Sequence, residues 1–126
     1  MSNLHGANRV HGFVKDPAEV FRPGDFCLIP YQNDTGFRTK IPEVCGYGVI
    51  PVGYPVSFAC CPEMRDGHNC VTAATPEALA RRLAHVCADR ATRAGLAAAA
   101  IETRRNDLSH ERRLVKYRRV LEFPDV

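Results

Sequence analysis

Hydrophobic and polar positions change rhythm near residue 75: before it they mostly alternate, and after it they recur at intervals of three and four. From Asp25 to Tyr31, Phe26 and Leu28 fall on one face of an extended chain and Cys27, Ile29 and Tyr31 on the other, which predicts a strand. Gln32 to Gly36 is turn chemistry, and Phe37 to Ile41 alternates apolar or neutral with cationic residues, as a half-exposed strand does. These two segments read as a hairpin. Val44 to Val52 and Val56 to Cys60 read as further strands, joined through Pro51 to Pro55, with Gly46 and Gly48 weakening the first of them.

Helix signals frame this β-rich stretch. Asp16-Pro17-Ala18-Glu19 combines a capping side chain, a proline at the first helical position and an acid in the first turn, so a short helix starts there and Pro23-Gly24 stops it. Thr75-Pro76-Glu77 repeats that grammar. After it, Leu79, Leu83, Cys87, Ala91, Ala94, Ala98 and Ile101 form one apolar helical stripe, in which Gly95 costs about 1 kcal/mol against alanine and marks a candidate kink. Asn106 to Ser109 supplies a turn, and a last helix runs from about His110 to Leu121, with Leu114, Tyr117 and Leu121 on one side and Arg112, Lys116 and Arg119 on the other.

The order of these elements predicts an α+β fold, a small antiparallel sheet of three to five strands in the N-terminal part packed against two C-terminal helices. At 126 residues the chain fits one domain. Its expected parts are an N-terminal arm (1–12), a β-rich cysteine-bearing region (13–74), a helical region (75–122) and a tail (123–126), with arm and tail lying across another subunit. An apolar fraction of 45% and a charged fraction of 25% are those of an ordinary globular protein. The first residues lack the apolar run of a secretory signal, and no stretch is long enough to span a bilayer, so a cytoplasmic protein is expected, without membrane contact.

That compartment favours thiols over disulfides for Cys27, Cys45, Cys60, Cys61, Cys70 and Cys87. The densest reactive group is Cys60 to Cys70, three thiols and His68. With Cys45 from a neighbouring strand, the set Cys45, Cys61, His68 and Cys70 offers the four soft or borderline ligands of a tetrahedral zinc site, although no C-x-x-C is present. A thiol nucleophile is the second use of the same residues, Cys61 or Cys70 activated by His68 or His85 with Asp66 orienting the imidazole. The bland use is packing, which suits Cys27, Cys60 and above all Cys87 on the apolar stripe.

Charge separates the two halves as well. Residues 1–74 carry six Lys/Arg against seven Asp/Glu, and residues 75–126 eleven against seven. Arg105, Arg112, Arg113, Lys116 and Arg119 are therefore the candidate surface for nucleic acid or a protein partner, diluted by Glu102, Asp107, Glu111 and Glu122. Glycine-rich phosphate loops, H-E-x-x-H and G-x-S-x-G are all absent. The expectation from the sequence is a non-enzymatic assembly subunit, such as one of a phage or virus-like particle, whose partners are other protein subunits and whose location extends to the virion. A small nucleic-acid-binding or regulatory domain using the last helix, zinc-stabilised, is the alternative, and a cysteine-dependent enzyme the third reading. No cofactor other than that zinc, and no small-molecule substrate, is indicated.

Overall fold

The computed structural model describes residues 8–33 and 36–121. The predicted tail, and residues 1–7 of the predicted arm, lie outside them. In chain order the elements are β1 (Phe26–Ile29), α1 (Lys40–Gly46), β2 (Ile50–Gly53), β3 (Val71–Thr72), α2 (Pro76–Ala88), α3 (Arg90–Asn106) and α4 (His110–Leu121). Single 3₁₀ turns occupy Pro17–Glu19 and Pro55–Phe58.

The sheet is three-stranded, ordered β1-β2-β3, and parallel throughout. This corrects the expected antiparallel sheet of an α+β fold: the arrangement is α/β. The physical reason lies in the segment expected to return as the second arm of a hairpin. Ile41, Val44 and Cys45 sit at helical spacing and are fully buried on one side of α1, so the chain crosses over as a helix and re-enters the sheet beside β1 in the same direction. The strand expected over Val44 to Val52 thus divides into the end of α1, a turn and β2. The turn needs Gly48, whose φ is 75° and where a Cβ would stand 3.1 Å from both Ile101 and Pro23. The strand expected over Val56 to Cys60 is replaced by the 3₁₀ turn, and β3 is a strand that alternation did not reveal.

All four residues of β2 are buried, as befits the central strand of a sheet covered on both faces. Pairing aligns Cys27 with Pro51 and Ile29 with Gly53, and Phe26 with Ile50 and Leu28 with Val52. The alternation read in β1 therefore holds. On one face Ile29 joins Ile41, Cys45, Phe58, Cys61, Met64, Cys70, Ala100 and Leu108. On the other, Ile50, Val52 and Val71 pack with Leu79, Val86, Leu96 and Ala97. Helix α3 contributes to both clusters and contacts both α1 and α2.

The long apolar stripe after Thr75 is two helices rather than one, and the break is at Asp89, not Gly95. Asp89 is extended (φ −117°, ψ 99°), and its carboxylate accepts from the N–H groups of Ala91 and Thr92 at 3.1 and 3.3 Å, capping α3. A hydrogen bond donated by the Thr92 hydroxyl at 2.8 Å, together with these two, holds its pKa below the usual value. Cys87, near the end of α2, is exposed, so it is not a core residue.

Two polar side chains tie the connections that leave the carboxyl ends of the strands. Ser57, fully buried, donates to the carbonyl of Tyr31 (2.9 Å) and accepts from the N–H of Tyr54 (3.1 Å), joining the chain after β1 to the chain after β2. Asn69, also buried, accepts from the N–H of Arg65 (2.8 Å) and donates to the carbonyl of Glu63 (3.0 Å) and to Thr103 Oγ1 (2.8 Å), fixing the β2–β3 connection to α3. A Cβ on Gly53 would overlap the Ile29 carbonyl and meet Ser57 Oγ at 3.0 Å.

Gly53→Ala is therefore expected to destabilise the fold and Ser57→Ala to cost about 1–3 kcal/mol, the value of a buried hydrogen-bonding group left without its partner. Gly95→Ala, where a Cβ meets nothing within 4 Å inside α3, is expected to gain up to about 1 kcal/mol. Urea denaturation of the three variants checks the signs.

Candidate functional site

In an open parallel sheet the carboxyl ends of the strands all face one edge, and the connections leaving them, rather than the strands, make a binding site. Here those connections wall two adjoining cavities. The larger, about 410 Å³, is lined by Phe37 from the β1–α1 connection, Cys60, Pro62 and Glu63 from the β2–β3 connection, Asp107 and Leu108 from the turn after α3, and Arg113, Lys116 and Tyr117 from α4. The smaller, about 320 Å³, is lined by Thr39, Pro42 and Glu43 at the start of α1, by Arg104 and Leu108, and by His110 and Arg113 of α4. Leu108 and Arg113 belong to both.

Each wall has an identifiable local cause. Glu43 is exposed one turn into α1 because Ile41, Val44 and Cys45 take the buried side. Helix α4 is anchored at its start: Leu108 and Ser109 are buried, Arg104 donates to the Leu108 carbonyl at 3.0 Å, and Ser109 Oγ accepts from the N–H of Arg112 at 3.2 Å. From that anchor the helix leans over the larger cavity through polar contacts. Lys116 Nζ lies 2.9 Å from Glu63 Oε1, and the Arg113 guanidinium sits 5.4 Å from the centre of the Phe37 ring. No residue of α4 is buried. Burial pulls the Glu63 carboxyl up, but the Lys116 ammonium and hydrogen bonds from its own backbone and Cys61 outweigh it, and its pKa stands below the ordinary carboxylate value.

Of the five cationic residues expected to form a partner surface, the structure brings Arg113 and Lys116 into this cleft. Arg105, Arg112 and Arg119 are exposed outside both cavities. Phe37, Glu43, Glu63, Asp107, His110 and Tyr117 were not singled out from the sequence for a role in this site. The signal available was the helical spacing of Ile41, Val44 and Cys45, which places Lys40 and Glu43 at the exposed start of a helix directly after a strand and turn.

The expected zinc set does not assemble. Cys45, Cys61 and Cys70 do share one core cluster, with Cys27 and Cys60 packed against it, but His68 is exposed away from them. Among the described residues no group of three or more His, Cys, Asp or Glu is placed to hold a metal ion. The thiol-nucleophile arrangement fails on the same geometry. His68 and His85 are both exposed, and the Asp66 carboxylate is taken by Arg82 at 2.6 and 2.7 Å and by the Thr72 N–H at 2.9 Å. Burial pushes the thiols of Cys45, Cys61 and Cys70 up to about 12, so at neutral pH they are protonated and poorly nucleophilic. Cys61 donates to Glu63 Oε2 at 3.4 Å. Among the described residues, no helix is long and apolar enough to cross a membrane.

A family model described as "Glycosyl transferases group 1" matches residues 2–89, from before β1 to the end of α2. No curated protein matches the chain. The family match overturns the expected non-enzymatic assembly subunit of a phage or virus-like particle, together with its structural and virion associations, because the matched stretch is that of an enzyme family. Helices α3 and α4 lie beyond it.

At pH 7.5, iodoacetamide is expected to label the exposed Cys87 first and Cys45, Cys61 and Cys70 only on unfolding, read by peptide mass spectrometry. These three thiols have folded pKa values above their unfolded ones, so they favour the folded state below pH 9. That contribution is lost as pH rises from about 9 towards 12. Denaturation midpoints are expected to be insensitive to these groups at pH 7–8 and to fall progressively above pH 9.

Proposed function

The chain belongs to the glycosyl transferases group 1 family, and on that premise we propose that it binds a phosphate-activated sugar donor in the cleft at the carboxyl edge of the sheet and takes part in transfer of the sugar to a hydroxyl acceptor. The observation that carries this reading is the pair of adjoining cavities at that edge, where Glu43 and Arg104 face one cavity and Glu63 and Lys116 the other.

The chemistry asks for this mixture. Transfer breaks the bond between the sugar C1 and a phosphate oxygen and forms one to the acceptor oxygen, while the acceptor's proton is released. Negative charge grows on the departing phosphate, and cations held in place before the reaction stabilise it without reorganising. Arg104, Arg113 and Lys116 line the two cavities and supply such cations. Carboxylates accept hydrogen bonds from the vicinal hydroxyls of a sugar or ribose, a role that suits Glu43, whose exposed side chain stands at the cavity wall.

Calorimetric titration with nucleoside diphosphate sugars tests the reading. The wild-type chain is expected to bind at least one of them, and Glu43→Ala to weaken that binding about tenfold, equivalent to about 1.4 kcal/mol. Absence of binding across uridine, guanosine and adenosine diphosphate sugars would overturn it.

A further inference from the structure

We infer that Arg113, on a helix beyond the family-matched residues, is the residue of this site that grips the ligand's phosphate groups, so that α4 is part of the binding machinery rather than an appendage. The inference rests on the donor-site reading above and deepens it by naming the anion contact.

Three observations converge on Arg113. It lines both cavities, a position it shares only with the apolar Leu108, so a group bound to it lies where the two chambers meet. Its cationic neighbours are already engaged: Lys116 pairs with Glu63 at 2.9 Å, and Arg104 donates to the Leu108 carbonyl at 3.0 Å. Among the described residues the Arg113 guanidinium makes no salt bridge and donates no hydrogen bond. It lies instead over the face of Phe37, 5.4 Å from the ring centre. Lying over a ring leaves the in-plane N–H groups of a guanidinium available, and these form a fork that matches two phosphate oxygens.

The position is also pre-set. The Arg113 N–H donates to the Ser109 carbonyl at 3.2 Å, so the residue sits one helical turn from the buried Leu108–Ser109 anchor. A ligand with two bulky ends joined by a diphosphate fits this layout. One end would occupy the chamber beside Glu43, the other the chamber beside Phe37 and Tyr117, and the charged linker would sit at the shared wall.

Two probes applied to the full chain test this: inorganic pyrophosphate and a nucleoside diphosphate sugar, followed by the Arg113 Nε–H resonance in NMR and by calorimetry. Pyrophosphate is expected to shift that resonance. Arg113→Ala is expected to weaken binding of both probes at least tenfold, Arg113→Lys to recover part of the loss, and Arg105→Ala, an equal charge change on the exposed side of α3, to leave affinity unchanged. Sugar-donor binding with the Arg113 resonance unmoved and Arg113→Ala unimpaired would overturn the inference and leave the donor-site reading standing. A pyrophosphate response at Arg113 with no donor binding would do the reverse. If neither probe binds, both fall.

Discussion

The parallel pairing of β1 with β2 is the constraint on which the rest of the molecule depends. It requires the chain to cross over between the strands, and α1 makes that crossing by burying Ile41, Val44 and Cys45. It also requires Gly53 opposite Ile29, where any side chain would overlap the Ile29 carbonyl. Once these conditions are met, the carboxyl ends of all three strands emerge at one edge. The connections that carry Phe37, Glu43 and Glu63 then have to gather there. Ser57 and Asn69 fix those connections to one another and to α3.

Legibility in the sequence follows from how local each cause is. Caps are local, so Asp16, Thr75 and the span of α4 could be read directly, and so could the alternation within β1. The direction of pairing is not local. Phe37 to Ile41 alternates as a strand does, yet Ile41 begins the buried side of a helix, and the competing signal was its spacing to Val44 and Cys45. The buried run Ile50 to Val52 was also a sign of a central parallel strand, since it lacks the alternation of a half-exposed one. Reading the first of these as a hairpin arm turned the sheet antiparallel and hid the edge on which the cavities form.

The thiols illustrate the same limit. Their nearness in sequence suggested ligation or nucleophilic chemistry, but five of them pack within or against one core cluster, and desolvation keeps Cys45, Cys61 and Cys70 protonated. The basic last helix was legible as a binding element. Its partner was not, because which side of α4 faces the body is decided by the Leu108–Ser109 anchor and the Lys116–Glu63 pair, both set by tertiary structure. The sequence wheel grouped Lys116 with Arg112 and Arg119, whereas the fold groups it with Arg113 and Tyr117.

The proposed ligand site of this glycosyl transferase family member is the carboxyl edge of the sheet, closed over by α4. Hydrogen–deuterium exchange with and without a nucleoside diphosphate sugar tests it most directly. Protection is expected to be confined to peptides from the β1–α1 connection, the start of α1, residues 60–63 and residues 104–117. Protection along the opposite groove lined by Pro23, Arg90, Ala94 and Ala98, or none anywhere at saturating ligand, would contradict it.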